Sequence, residues 1–209
     1  MREHKPLGEK LTPDELQAIY DQSSPRVVAI VLCAIAENHL AECLKLLMLQ
    51  DAKAIKEQFK PDGTLGPFGN KIKLAYLLRV IDDQTMHDLV IASRIRNKFA
   101  HDLSIKSMDD QKICSLIRSM HIYSILQSIE LRTREEAKPG LIFKVKCDIL
   151  KFAMGNWQDG FTLCMRMLIH GIADREEEIG RTGALLAPFQ PLEALPEKFL
   201  RILPPATPS

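Results

Sequence analysis

The sequence predicts an all-α protein, a compact bundle of about five or six main helices. Three observations lead there. Apolar residues recur at three- and four-residue steps through every long stretch, and no segment alternates apolar with polar residues as a strand does. Glycine and proline gather at a few breaks rather than inside the periodic stretches. Apolar residues make up 46% and charged residues 26%, enough for a core, but only 6% are aromatic. The core is therefore built mainly from Leu, Ile, Val, Ala and Met.

The elements follow in order. Thr12-Pro13-Asp14-Glu15 is a capping box with proline at the first helical position, so a short helix begins there. Ser23-Ser24-Pro25 ends it and caps a long helix from Arg26 to about Leu49, apolar enough to be largely buried. A short amphipathic piece, Asp51 to Phe59, leads into Lys60–Asn70, where three glycines and two prolines in eleven residues make an ordered turn series. Asn70 is placed to cap a helix from Lys71 to Val80, and Asp82 or Asp83 to cap the next, which runs to about His101. Ser107, with Asp109 and Asp110, starts another long helix that Pro139-Gly140 stops. A last helical stretch covers Leu141 to Ile172, weakened near Gly155 and Gly160, and Asp174–Glu178 forms a charged exit.

This divides the chain into an N-terminal segment (1–23), a bundle domain (24–173) and a C-terminal tail (174–209), charged and then proline-rich. Six of the twelve prolines lie between Pro188 and Ser209, so the tail is not helical throughout. Its apolar residues around Leu192 and Leu200 can dock on the body or on a partner.

Charge and cysteine content narrow the function. With 28 Lys and Arg against 27 Asp and Glu, the formal charge is +1, which argues against a large duplex-DNA footprint. Local basic patches remain at Lys71 and Lys73 and at Arg94, Arg96 and Lys98, enough for a small RNA-cutting site. The five cysteines form no Cys-x-x-Cys pair, and four sit in apolar runs as small buried side chains of a reducing compartment. No zinc spacing is visible, and neither metal nor cofactor is expected. The N-terminus lacks the apolar stretch of a secretory signal. The apolar run Val27–Ala36 is about half the roughly 20 residues that span a bilayer. A cytoplasmic protein without membrane contact is the expectation.

The most informative residues are Arg96, Asn97, Lys98, Phe99, Ala100 and His101. Leu89, Ala92, Ile95 and Phe99 make the buried stripe of their helix. Asn97 and His101, four apart, share a face, and Arg96 can reach back toward them over the gap. Such a trio can cleave RNA without metal. The histidine would move protons, the arginine would hold the scissile phosphate, and the asparagine would orient one of them. The helix C-terminus favours a positively charged side chain there. A purely architectural account stands beside this: Arg96 can pair with Glu37 or Glu42, His101 can cap its own helix, and Asn97 can tie helix to loop.

The other candidates read more simply. His39, beside Glu37 in an apolar stretch, is a packing histidine. His87, His121 and His170 have no ligand types at metal spacing. Lys71, Lys73 and Lys98 are candidate phosphate contacts. Gly66-Pro67-Phe68-Gly69 lacks the ending of a nucleotide loop and is a turn whose Phe68 plugs the core. Met48, Met120, Met154, Met165 and Met167 fill core or dimer-contact volume.

Three segments, Ala34–Leu40, Gly66–Leu78 and Ile91–Leu103 (IASRIRNKFAHDL), resemble the mannitol operon repressor family in order and spacing. The resemblance covers about residues 25–135. It implies an all-helical domain and a regulator of sugar-alcohol uptake genes that carries no evident helix-turn-helix. Repression would then run through a protein partner, such as a transcription factor, rather than by direct DNA readout. The sextet also satisfies the Arg-x(4–6)-His pattern of the broader HEPN superfamily. Many HEPN members are metal-independent RNases acting as dimers; others only bind nucleotides or proteins. Carried over, that makes Arg96 and His101 the candidate catalytic pair, Asn97 the orienting residue, and Glu37 an acidic partner reaching in from another helix. A homodimer follows, with RNA as the substrate under this alternative.

Overall fold

The computed structural model describes residues 24–135 and 155–183, the side chains of 129–135 apart. The expected helix at Thr12, the stretch 141–154 with Cys147 and Met154, and the tail 184–209 lie outside the described residues. Among the described residues there are seven helices: α1 Pro25–Leu47, α2 Ala52–Gln58, α3 Phe68–Leu77, α4 Asp83–His101, α5 Gln111–Arg118, α6 His121–Glu135 and α7 Trp157–Thr182. Among the described residues there is no strand. The all-helical expectation holds.

α1 is the axis of the bundle. Ser24 caps it by accepting from Val27 N, and Pro25 occupies the first turn, where its missing N–H has no consequence. Its buried residues, from Val28 through Leu32, Ala36 and Leu40 to Leu44, lie against α7, α4 and α3. By length and composition alone α1 is apolar enough to cross a bilayer, well beyond the Val27–Ala36 run. Its packing on three other helices accounts for the same composition.

α2 is short, is capped by Asp51, and buries no residue of its own. The turn series behind it is tightly folded. A Cβ on Gly63 would strike the carbonyls of Glu57 and Gln58, and one on Gly66 those of Lys60 and Pro61. Glycine is required at both positions by this backbone approach. Leu65 and Phe68 are buried beneath the turns, as the sequence suggested for Phe68.

α3 departs from expectation at both ends. Asn70 does not cap it: the helix starts at Phe68 after Pro67, and Asn70 Nδ2 donates to Thr64 O at 2.8 Å. Pro67 presets the turn, and burial of Phe68 fixes where the helix begins. At the other end Val80 N donates to Ala75 O and Arg79 N to Tyr76 O, a Schellman closure with Arg79 in the left-handed region at φ 59°. A non-glycine residue there is strained. Arg79→Gly is accordingly expected to raise stability by about 0.5–1 kcal/mol, read as a higher denaturation midpoint in urea.

α4 begins at Asp82, whose Oδ1 accepts from Thr85 N at 2.8 Å, and ends at His101 as expected. Leu89, Ala92, Ile95 and Phe99 form the inward stripe, each fully buried.

The long helix expected from Ser107 is instead two. α5 starts after its cap Asp110, and the chain breaks at Ser119-Met120 before α6. The cause is Asp88 on α4, only 2% exposed, whose two carboxylate oxygens accept from His121 N at 2.7 Å and Ile122 N at 2.8 Å. A buried carboxylate thus caps α6 from another helix.

α7 starts at Asn156 and passes Gly160 without a break. It was expected to end near Ile172, yet it runs through Asp174–Glu178 to Thr182 and closes on Gly183 at φ 68°. Arg175, 4% exposed, donates to Arg79 O at 3.1 Å and pairs with Glu178 at 2.5 Å. This stretch is therefore part of the packed body. Within it Glu176 Oε2 meets His39 Nδ1 of α1 at 2.6 Å, so His39 packs as a paired interhelical side chain.

Four of the five cysteines fall among the described residues and all four are buried, as expected. Burial pushes the Cys33 and Cys43 thiols up to about 12 and raises Cys164 as well. A thiol reagent at pH 8 is therefore expected to modify no more than two of the five cysteines before the protein unfolds. Rapid native-state labelling of three or more would contradict this packing.

Candidate functional site

The C-terminal two turns of α4 carry the residues singled out in the sequence, and they present two different faces.

One face is closed. Arg96 Nη1 pairs with Glu37 Oε2 at 3.0 Å, and Glu37 Oε1 accepts from Lys71 Nζ at 2.6 Å. Lys71 Nζ also donates to Gly66 O at 2.7 Å, and the Arg96 guanidinium lies over the Phe68 ring at 5.5 Å. One carboxylate from α1 thus holds a cation from α3 and another from α4. Lys71, a candidate phosphate contact on sequence grounds, has its side chain only 8% exposed and is engaged inside this triad. Its charge would cost several kcal/mol to bury without Glu37. Of the pairings open to Arg96, the structure takes Glu37; Glu42 pairs with Lys45 on its own helix at 2.7 Å. Lys73 is exposed on α3 and does not join either face.

The other face is open. A cleft of about 620 Å³ is lined by Arg94, Asn97, Lys98, His101, Asp102 and Leu116. Asn97 and His101 stand together there, four residues apart as anticipated. Arg96 is not among the lining residues; it reaches the cleft only through Asn97, whose Oδ1 accepts from its Nε and Nη2, each at 3.3 Å. Asp102 Oδ1 accepts from the Ser104 hydroxyl at 2.5 Å and from Ser104 N at 3.0 Å. The Ser104 hydroxyl, then its N–H, hold the Asp102 carboxyl below the ordinary range. That contribution exists at neutral pH and is lost as the pH falls through the acid range.

The end of α4 is not capped by His101. Arg26, from the first turn of α1, donates to Phe99 O, to Asp102 O at 3.3 Å and to Ile105 O at 3.2 Å. A guanidinium on the last carbonyls of a helix satisfies acceptors that have no partner within the helix and opposes the macrodipole. Sequence reasoning missed Arg26, because a basic residue just after a proline cap gives no sign of a partner more than seventy residues away.

Fold and site together define a class: an all-helical bundle whose Arg-x4-His segment ties three helices through its arginine and exposes its histidine to an open cleft. The sequence matches no protein-family model and no curated protein. Among solved structures, a chain of the MtlR–HPr complex from Escherichia coli shares the fold, with a TM-score of 0.55 and 17% identity over 77% of this chain and 98% of that one. The all-helical fold that the family resemblance implies is therefore shared with that chain.

Proposed function

We propose that this chain is a regulatory module of the mannitol-repressor type that acts by docking a protein partner, with the Arg96–His101 segment serving as its structural hub. The pairing of Arg96 with Glu37 against the Phe68 ring carries the reading, because it takes the guanidinium out of the cleft in which His101 stands. A metal-independent RNase of the HEPN kind needs both groups on one scissile phosphate. The fold shared with a chain from a complex containing HPr supports a protein partner and makes HPr the first partner to test. Action in the cytoplasm and as a homodimer belongs to the same proposal.

The test has two parts. Purified protein incubated with RNA and a chelator is expected to leave the RNA intact, with wild type and His101→Ala indistinguishable. Calorimetric titration with HPr is expected to give saturable binding. Chelator-resistant cleavage that disappears in His101→Ala would overturn the reading in favour of the nuclease.

A further inference from the structure

The open cleft has a donor set that the closed face of α4 does not use. Arg94, Asn97, Lys98 and His101 fall at steps of three and four residues, hence on one face of α4, and all line the cleft. Arginine has no acceptor atom, so the atom of Asn97 that meets Arg96 is its oxygen. That orientation leaves the Nδ2 donor to the cleft. The Glu37–Arg96 pair therefore fixes the side chain of Asn97 with its donor end outward. Asp102, the one acid among the lining residues, has Oδ1 turned to Ser104. Leu116 supplies an apolar wall.

Two fixed positive charges, an imidazole and an amide donor outweigh the one carboxylate on this lining, and an open space of about 620 Å³ leaves room for the rest of a small molecule beside an anionic group with several terminal oxygens. We propose that this cleft binds a phosphate-class oxyanion, free or as the phosphomonoester of a small molecule, held by Arg94 and Lys98 with Asn97 Nδ2 and His101 completing the donor set. Arg96 acts only through Asn97, as a positioning residue. The site stands whether or not a protein docks elsewhere on the bundle.

The experiment is isothermal titration of the full chain in phosphate-free buffer at fixed ionic strength, with inorganic phosphate in one arm and glycerol phosphate in the other. Saturable binding is expected. Arg94→Gln and Lys98→Gln should each weaken it about tenfold. Asn97→Asp keeps an oxygen for Arg96 but puts an acceptor and a negative charge where the donor was, and should abolish binding. Lys106→Gln, exposed and outside the lining, should leave it unchanged. All variants should retain the wild-type unfolding curve followed by the single tryptophan, Trp157. Tighter binding of glycerol phosphate would assign the site to an organic ester, and equal binding to the free ion. Absence of saturable heat in both arms would overturn the proposal. So would equal affinity in Asn97→Asp.

Discussion

Glu37→Ala is expected to destabilise the protein by about 3 kcal/mol, the largest effect of any single surface-reaching residue. The substitution removes one carboxylate but strands two cations. Lys71 suffers most, because its ammonium is left with only the Gly66 carbonyl in a nearly closed environment. Arg96, a quarter exposed, recovers part of its hydration. Replacing the buried pair by hydrocarbon, Glu37→Leu with Lys71→Met, should restore much of the loss, since a buried ion pair is costly to break yet adds little over well-packed apolar groups. Urea denaturation followed at Trp157 reads both variants. A loss below about 1 kcal/mol in Glu37→Ala would mean that the two cations find water without the carboxylate.

Asp88→Ala should cost about 3 kcal/mol and lower Tm by roughly 6–12 °C. Two backbone N–H groups at the start of α6, His121 and Ile122, lose charge-assisted acceptors in a dry environment. Relief of the carboxylate's own burial offsets part of the cost. Asp88→Asn, which keeps one acceptor oxygen, should lie between the two. Hydrogen exchange at His121 and Ile122 provides the local readout, with protection falling far more than at α1. Unchanged protection there would separate the α5–α6 break from Asp88.

How far the sequence carries depends on the range of the interaction involved. The cores of α1 and α4 were legible because their apolar spacing is local and no glycine or proline interrupts it: Leu89, Ala92, Ile95 and Phe99 are buried as their spacing requires. The cap at Asp82 was legible for the same reason. What was missed depends on contacts distant in the chain. Ser119-Met120 carries no breaker residue; the helix divides there because Asp88, over thirty positions earlier, takes the N–H groups of the next turn. The charged run at Asp174–Glu178 looked like an exit, but Arg175 is buried with its two terminal nitrogens on Arg79 O and Glu178, so the helix continues. Asn70 was a reasonable cap by residue type, yet Pro67 and the burial of Phe68 set the start of α3.

The site divides in the same way. The shared face of Asn97 and His101 followed from their four-residue spacing, and both line the cleft. Which face Arg96 would serve was not decidable from its position, because a long side chain can swing either way; Glu37 decides it. Lys71 read as a candidate phosphate contact, and only the tight fold of the preceding turns brings it against Glu37. Arg94 reads by composition as part of a basic patch, and its spacing to Asn97, Lys98 and His101 places it on their face.

The direct measurement is a double-mutant cycle on the guanidinium of α4 and the carboxylate of α1, combining Arg96→Ala and Glu37→Ala and reading unfolding free energies. A coupling of at least about 1 kcal/mol is expected, with the double variant less damaged than the two losses summed. Losses that add to within roughly 0.5 kcal/mol would contradict it, leaving the arginine free to turn toward the imidazole.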